Sequence, residues 1–323
     1  MQKKKLDFNK ILAPMVLVLL YVFFSIFGTN FFSKDYLINI LDASYYIGFM
    51  AIGVTFVIIT GGIDLSLGTN MMCAALLGGM AYNTWHWPMG MCLLFVVFVS
   101  TVIGFLNGLM ISYLNLPPFI ATLGTQMMGM GFGAIVTKVQ TMRYPTFGTP
   151  DGWFKNFFYK TTGGFPVGMF WLFGFAILSW VILNKTRFGR YTFAIGSNRE
   201  AARLSGIKTQ RWLTAVYTFC GLCSGLAGIF YAAVYTSIIP STGNGQEMWG
   251  IAGVVIGGTS MSGGVGTLAG SIIGVFVMSV LKQGLMSMGL QSHWQTFFTG
   301  FVVVGAVLLD QYRVKSANRI KKI

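Results

Sequence analysis

The sequence predicts an all-α polytopic membrane protein. Hydrophobic residues make up 54% of the 323 residues, and charged residues only 9%, whereas soluble chains carry about 25% charged residues. The mean hydropathy is +0.69. Apolar runs of about 18 residues or more recur from one end of the chain to the other, which is the pattern of membrane-spanning helices. We expect about ten transmembrane helices of this kind, some of them broken at glycine-rich stretches.

The net charge of +14 is concentrated in three hydrophilic segments. The positive-inside rule places such segments in the cytoplasm, so we expect both termini and the central segment to lie there. This placement makes the charge a topology signal, and it disfavours a nucleic-acid partner. The basic residues concerned are Lys3, Lys4, Lys5 and Lys10; Lys185, Arg187, Arg190, Arg199, Arg203, Lys208 and Arg211; and Arg313, Lys315, Arg319, Lys321 and Lys322.

The spans follow the apolar runs in order. The first run, 11–27, is longer than the apolar part of a signal peptide and lacks an A-x-A-like cleavage site, so we expect it to remain as a span. An outside loop is expected at 30–42, and a long polar and aromatic loop, interrupted by proline and glycine, at 140–166. The other spans are expected at 43–59, 69–84, 89–113, 119–139 and 167–183, then at 212–237, at 248–258, in a run that ends near Leu285, and at 294–309.

Glycine serves two purposes in this sequence. Pairs spaced as small-x-x-x-small, such as Gly104/Gly108 and Gly221/Gly225, favour close packing of helices. Two glycine-rich stretches resemble each other and interrupt spans: GGIDLSLG at 61–68, the first glycine break, and GGTSMSGG at 257–264, the second glycine break. Both breaks end spans that run in the same direction, which argues against a simple inverted duplication that carries both.

The central segment contains a short helix signal. Ser197 and Glu200 form the S-x-x-E capping box, and Gly206 is placed to end the helix in a left-handed conformation. A helix of about two turns is marginal alone in water, so we expect it to pack on something. Two interpretations stay open at this point: a capped connector in a charged loop, or a docking helix that a partner protein pushes.

Ionisable residues inside a membrane are costly, so each one is a functional candidate. Asp64 lies in the first glycine break, where its carboxylate either bonds sugar hydroxyls or satisfies the unwound backbone amides beside it. Glu247 precedes the eighth span, where it either lies at the outer mouth of a hydrophilic path or is a plain interfacial carboxylate. The cysteines Cys220 and Cys223 form a C-x-x-C pair inside an apolar run without nearby ligands, which favours a packing role over redox or metal chemistry.

Neutral polar residues extend the candidate set. Thr122, Thr125 and Gln126 share one face of the fifth span, and Asn107 lies in the middle of the fourth. They either line a hydrophilic path or form hydrogen bonds between helices. No Walker A pattern occurs in the sequence, so the chain is not expected to bind ATP by that device.

At four motifs the chain resembles the permease subunits of bacterial monosaccharide ABC importers of the ribose, xylose and galactose type. The motifs are GGIDLSLG (61–68), PPFIATLGT (117–125), TRFGRYTFAIGSNREAARLSGI (186–207) and IAGVVIGGTSMSGGVGTLAG (251–270). The resemblance implies a single transmembrane permease domain over 1–323 in the bacterial cytoplasmic (inner) membrane. It also implies a second permease copy, identical or a sibling, cytoplasmic ATP-binding cassette subunits that bind ATP-Mg, and an extracytoplasmic sugar-binding protein.

The resemblance assigns the coupling role, and the polar residues named above supply the candidates for the substrate path. The central segment, about 185–211, would be the loop that couples to the ATPase, with no metal and no catalytic residue in the chain. The coupling candidates are Arg187, Arg190, Ser197, Asn198, Arg199, Glu200, Ala201, Ala202, Arg203, Leu204 and Gly206. The candidates for the substrate path are Asp64, Ser66, Asn107, Thr122, Thr125, Gln126, Glu247 and Trp249.

One departure from the family bears on the substrate. Before the eighth span the family usually reads G-Y-E-L-D-A-I-A-A, whereas residues 245–253 read GQEMWGIAG. Glu247 is kept, but Trp249 replaces the second acid, and an indole near the path either stacks on an apolar sugar face or anchors the interface. We therefore expect a monosaccharide or related polyol, without assigning ribose.

Two rival functions remain at this stage. A stand-alone or ion-coupled carrier needs ionisable groups spread through the membrane, and the sequence offers few besides Asp64. A membrane-embedded enzyme needs a clustered acid–base or metal set, whereas His86 and His293 lie near different span ends. The presence of ATPase and binding-protein genes alongside this one would discriminate between these functions and an importer.

Overall fold

A computed structural model describes residues 8–161 and 163–320 of the chain. The structure is almost wholly helical, with one short pair of strands. The helices are α1 (Phe8–Phe27), α2 (Lys34–Ile59), α3 (Leu67–Asn83), α4 (Met89–Ser112), α5 (Pro118–Val136), α6 (Trp153–Phe158), α7 (Gly168–Lys185), α8 (Arg187–Ser197), α9 (Arg199–Leu204), α10 (Thr209–Tyr235), α11 (Gln246–Ile256), α12 (Leu268–Ser287) and α13 (Ser292–Ile320). The strands are β1 (Met142–Arg143) and β2 (Ser237–Ile238).

The helix lengths confirm a multi-pass, all-α membrane protein. Seven helices within the described residues are long and apolar enough to cross a bilayer: α2, α4, α5, α7, α10, α12 and residues 292–312 of α13. Three further helices are shorter in their apolar part. They are α1, with an apolar stretch at Leu12–Phe27, the 17-residue α3 and the 11-residue α11.

Helix α2 is the centre of the bundle. Its most apolar window is fully buried, whereas the corresponding window of α13 is 11% buried and faces outward. Helices α10, α11, α12 and α7 pack around α2. The α2 residue Gly53 makes this close approach possible, because a β-carbon there would lie 2.8 Å from Cβ of Cys223 and 3.2 Å from the Cys220 backbone. The two cysteines are accordingly buried in helix packing and free of disulfide bonds.

The predicted small-residue pairs meet each other across a helix interface. A β-carbon on Gly104 of α4 would lie 2.7 Å from Cα of Gly221 of α10, and one on Gly108 would lie 2.8 Å from Cα of Thr214. Ser100 donates a hydrogen bond of 2.7 Å to the Gly221 carbonyl at the same interface. The α4–α10 contact is therefore the backbone-to-backbone packing that small residues allow in membranes.

Two loop predictions need correction. The expected loop at 30–42 is mostly helix, because α2 begins at Lys34 and the Ser33 hydroxyl caps it by accepting from the Tyr36 amide at 3.3 Å. The expected irregular loop at 140–166 contains β1 and α6, and β1 pairs antiparallel with β2, with Met142 opposite Ile238. Proline and glycine limit the length of these elements without preventing them, because each element fits between two such residues.

The central segment contains two helices, and the predicted capping box is wrong. Ser197 is the last residue of α8, and Asn198 is the N-cap of α9, where its Oδ1 accepts from the Ala201 amide at 2.9 Å. The physical reason is that aromatic packing holds α8 in place. The ring centroids of Phe188 and Phe56 lie 5.6 Å apart, and those of Tyr191 and Trp212 lie 4.9 Å apart.

This packing keeps the chain helical through Ser197 and moves the cap by one residue.

The predicted left-handed conformation of Gly206 is confirmed, with φ of +82° after α9. Of the predicted basic segments, Lys3, Lys4, Lys5, Lys321 and Lys322 lie outside the described residues.

Candidate functional site

The first glycine break is a buried polar turn between α2 and α3. Asp64 is 2% exposed, and its Oδ1 accepts from the Ser66 amide at 2.9 Å and from the Ser66 hydroxyl at 2.6 Å. The Tyr217 hydroxyl of α10 donates to the Ile63 carbonyl at 3.2 Å. Asp64 thus satisfies the unwound backbone directly beside it, as one of the two sequence-based interpretations expects.

Asn107 joins this turn to α4. Its Nδ2 donates to the Ser66 hydroxyl at 2.9 Å, so Asp64, Ser66 and Asn107 form one chain of hydrogen bonds. The Asn107 side chain is fully buried, and its Oδ1 has no hydrogen-bond partner among the described residues. A buried amide oxygen without a donor is costly, and it is an acceptor available to a hydroxyl group.

A second polar cluster surrounds Glu247 in the first turn of α11. Its Oε1 accepts from Gln126 Nε2 at 3.0 Å and from the Gly245 amide at 3.1 Å. Gln126 Nε2 also lies 3.0 Å from Asn244 Oδ1, to which it donates. Glu247 is only 2% exposed, and its Oε2 has no hydrogen-bond partner in the described part of the chain. The carboxylate is therefore buried between helices and is not a solvated interfacial group.

Gly68 brings the two polar clusters next to each other. A β-carbon on Gly68, the last residue of the first glycine break, would lie 2.5 Å from Glu247 Oε2 and would collide with the Gly243 carbonyl. The unpartnered carboxylate oxygen of α11 is thereby packed directly on the start of α3. Sequence reasoning named residues on both sides but gave no means of seeing this contact.

Three of the remaining path candidates form no side-chain hydrogen bond to another helix within the described residues. The Thr122 hydroxyl donates to the Pro118 carbonyl at 2.8 Å, and that of Thr125 donates to the Ala121 carbonyl at 3.1 Å, so both bond within α5. Trp249 is 6% exposed and packs inside the bundle. Gln126 is thus the residue of the predicted α5 face that forms side-chain hydrogen bonds between helices.

Sequence analysis missed a charged residue in the membrane region. Lys282 lies in α12, and its ammonium donates to the Tyr46 hydroxyl at 2.6 Å and lies 5.5 Å from the centroid of the Trp249 ring. The available signal was a single lysine near the end of the ninth apolar run. Such a position is typical of a lysine that extends toward the interface, which is why it attracts no attention in a sequence.

The central segment contacts the end of α2 and the second glycine break. The Ile59 carbonyl at the end of α2 accepts from the Gly264 amide at 2.8 Å, and Gly196 of α8 packs on that same carbonyl. A β-carbon on Gly263 would lie 2.8 Å from the Gly196 carbonyl oxygen and 3.0 Å from the Gly61 amide nitrogen. We call this three-way contact of Ile59–Gly61, Gly196–Ser197 and Gly263–Gly264 the glycine junction.

Helix α9 projects from the glycine junction and is exposed. Ala202 alone of its residues is buried, and Leu204 is 77% exposed. Arg203 Nε donates to Glu200 Oε2 at 3.1 Å, and this hydrogen bond, together with the charge of Arg203, holds the pKa of Glu200 below its usual value. Helix α9 thus presents Leu204 and the Glu200–Arg203 pair on the surface.

Two neighbouring cavities lie between α9 and the first glycine break. One of about 330 Å³ lies between the break and the 115–118 turn, and a second of about 690 Å³ lies under α9. Asn115 and Arg199 line both. Within the residues that the structure describes, no group of three His, Cys, Asp or Glu side chains is arranged to hold a metal ion.

Comparison with known proteins gives a consistent result. The family model described as branched-chain amino acid transport system / permease component matches residues 36–307. The chain is 37% identical over 322 residues to the ribose import permease protein RbsC of Bacillus subtilis (strain 168), covering 98% of each chain. It is 35% identical over 294 residues to the galactose/methyl galactoside import permease protein MglC of Haemophilus influenzae, covering 85% of this chain and 86% of that one.

A fructose import permease protein, FrcC of Rhizobium meliloti, is 31% identical over 307 residues, which is 94% of this chain and 85% of the relative. No solved structure gives a significant match. These similarities extend over the helices that carry both glycine breaks and the central segment. The chain therefore belongs to the family of permease components typified by the branched-chain amino acid transport system, and its relatives include import permeases for monosaccharides.

Proposed function

We propose that this chain is the membrane-spanning permease subunit of an ATP-driven importer for a monosaccharide or related polyol. It forms one transmembrane domain over residues 1–323 in the bacterial cytoplasmic (inner) membrane. About ten helices cross the bilayer, namely the seven long ones and the shorter α1, α3 and α11, with both termini in the cytoplasm. The import functions of the relatives support this proposal over an ion-coupled carrier.

The chain itself performs no covalent chemistry in this proposal. ATP-Mg binds to separate ATP-binding cassette subunits in the cytoplasm, and an extracytoplasmic sugar-binding protein delivers the solute. A second permease copy, identical or a sibling, completes the path. Because the path must release its cargo, it offers few strong contacts, and the binding protein carries most of the selectivity.

The observation that supports coupling best is the glycine junction. The end of α8 contacts the end of α2 and the second glycine break at the same place, and α9 continues directly from it. A partner that displaces α9 would therefore move the ends of α2 and of the second glycine break together. Close-packed backbones transmit such a displacement, because they leave no side chain to absorb it.

The first polar cluster lies in the first glycine break, the second lies at the start of α11, and both serve as the substrate path in this proposal. The first glycine break leads into α3, whose start packs on Glu247, and the second lies between α11 and α12. A shift of the breaks would thus rearrange Asp64, Asn107, Gln126 and Glu247 relative to one another. Only a partner that binds the two arrangements with different affinity can drive the change.

Co-purification tests the proposed function. We expect the permease, isolated from native membranes in mild detergent, to bring with it an ATPase that carries a Walker A motif. Arg203→Glu disrupts the exposed pair on α9 and should lose the ATPase while the permease remains folded, because α9 makes few contacts with the bundle. The matched control, Lys160→Glu, reverses a charge on the loop after α6 and should retain the ATPase.

Two outcomes would contradict the proposal. If the intact permease is isolated without any ATPase, it is not a subunit of an ATP-driven importer. If Arg203→Glu and Lys160→Glu retain the ATPase equally, α9 is not the helix that docks to it.

A further inference from the structure

Lys282 of α12 lies against a cluster of aromatic side chains inside the bundle. Its ammonium is 2.6 Å from the Tyr46 hydroxyl, 5.3 Å from the centroid of the Tyr46 ring and 5.5 Å from that of Trp249. Tyr231 packs edge-on against Tyr46, with ring centroids 5.2 Å apart. Aromatic faces of this kind stabilise an ammonium group, but they do not neutralise its charge.

The ammonium has donors to spare. A lysine presents three N–H donors, and the structure gives Lys282 one acceptor, the Tyr46 hydroxyl, which in turn donates to Gln246 Oε1 at 3.4 Å. Among the described residues, Lys282 forms no ion pair with a carboxylate. A charged residue in a membrane helix is costly and normally pairs with an opposite charge, so this cation is set apart from structural lysines.

The lysine does not simply extend to the membrane surface. A lysine that does so keeps its ammonium in water, whereas Lys282 donates to a tyrosine that is fully buried. Lys282 and Gln246 are both partly exposed. The lysine side chain therefore lies at the edge of the aromatic cluster and is not sealed inside the bundle.

This cation is adjacent to the second polar cluster. Gln246, which accepts from Tyr46, precedes Glu247, which accepts from Gln126. The first turn of α11 thus links the hydroxyl-binding groups around Glu247, through Gln246 and Tyr46, to the Lys282 ammonium, which also lies over the Trp249 ring. Amide and carboxylate groups bind sugar hydroxyls.

We propose that Lys282 binds the carboxylate of a sugar acid, so that the imported solute is a monosaccharide derivative with one negative charge. This inference rests on the proposed function and specifies its substrate class. One ammonium balances one carboxylate, whereas a phosphate group carries nearly two charges and needs several donors. Tyr46 and Gln246 orient the ammonium.

Direct binding tests this proposal without the ATPase or the binding protein. The thermal unfolding of the full-length permease in lipid nanodiscs is measured against rising millimolar concentrations of D-galacturonate, D-gluconate and D-ribonate. The uncharged parents D-galactose, D-glucose and D-ribose are measured in parallel, with sodium acetate at equal ionic strength as the control for a general anion effect. A ligand that binds the folded state raises the unfolding temperature in proportion to its occupancy.

We expect at least one of the three acids to stabilise the protein well beyond its parent sugar and beyond acetate. Lys282→Gln should weaken that response by about tenfold or more, and Lys282→Arg should keep most of it, because the charge is retained. The matched control is Lys160→Gln, since Lys160 likewise lies over a tyrosine ring, 4.8 Å from the Tyr159 centroid.

The proposal is overturned if none of the acids stabilises the protein more than acetate, or if Lys282→Gln responds as the wild type does. Should Lys282→Gln fail to fold, the charge-retaining Lys282→Arg decides the matter together with the acid-to-parent comparison on the wild type. If the permease co-purifies with an ATPase but is stabilised equally by the acids and by their parent sugars, the proposed function stands and this inference is wrong. If the permease binds the acids but is isolated without any ATPase, the proposed function is wrong instead.

Discussion

At the scale of single residues, hydrogen bonding decides what each membrane-buried polar group does. Asp64 uses Oδ1 for the amide and hydroxyl of Ser66, so its first task is to hold the unwound turn together. Glu247 leaves Oε2 unpartnered among the described residues while Oε1 is fully engaged. Leaving a buried polar atom unpaired costs about 1–3 kcal/mol, so Glu247 retains an acceptor at a real expense to stability.

Gly68 provides a residue-scale prediction. Gly68→Ala would place a methyl group 2.5 Å from Glu247 Oε2 and against the Gly243 carbonyl. We expect a loss of stability of about 1–3 kcal/mol, the usual cost of overpacking, and a matching loss of transport. Thermal unfolding in detergent measures the first and uptake by cells the second.

The matched control for this prediction is Gly174→Ala in α7, where a β-carbon would meet nothing within 4 Å. That variant should be neutral or slightly stabilised, because alanine favours a helix more than glycine does. Equal stability of Gly68→Ala and Gly174→Ala would show that the α3–α11 contact is looser than the structure has it.

At the scale of secondary-structure elements, α8 and α9 divide the central segment between anchoring and exposure. Helix α8 is amphipathic and packs through Phe188, Tyr191 and Ile195, whereas α9 buries Ala202 alone. A helix of six residues has little stability of its own, so its cap matters more than it would in a long helix. Asn198 supplies that cap from the boundary between the two helices.

The position of the cap gives an element-scale prediction. Asn198→Ala should cost about 0.5–2 kcal/mol of local helix stability, because the Ala201 amide loses its acceptor. Ser197→Ala should cost little by comparison, since the Ser197 hydroxyl makes no capping bond. Hydrogen exchange of the amides in α9 measures both, and faster exchange in Ser197→Ala than in Asn198→Ala would restore the capping box as the correct assignment.

The sequence is sufficient to predict most membrane spans, but it is not sufficient to predict α8 and the cap of α9 in the central segment. Long apolar runs predict α4, α7 and α10 to within a few residues, because lipid requires about 20 apolar residues whatever the neighbours are. Helix α8 escapes notice because its stability comes from contacts with Phe56 and Trp212, which are distant in sequence. For the same reason the S-x-x-E pattern predicts Ser197 as the N-cap, one residue before the actual N-cap Asn198.

At the scale of the whole molecule, the candidate site also depends on contacts between residues that are distant in sequence. The residue types at 64, 107, 126 and 247 were recognisable from their polarity alone. Their pairing was not, since Gln126 and Glu247 are 121 positions apart and Asn107 and Ser66 are 41 positions apart. Lys282 needed the fold itself, because only the packing of α12 on α2 brings it to Tyr46. A single sequence carries the chemistry of such residues but not their neighbours.

The whole-molecule account is that the glycine junction links a movable helix to two breaks in the membrane. Breaks 61–68 and 257–264 lie on different sides of the central segment in sequence, yet Gly263 packs against both Gly61 and Gly196 in space. A push on α9 is therefore expected to reach the two polar clusters through the ends of α2 and of the second glycine break. Coupling of this kind is established only when both breaks are shown to respond.

The most direct test is hydrogen exchange in the two glycine breaks of the ATPase-bound complex, with and without ATP. The account predicts that the amides at 61–66 and at 258–264 change their exchange together when ATP is added to the complex. If ATP alters exchange in α9 while both breaks stay unchanged, the glycine junction does not carry the coupling.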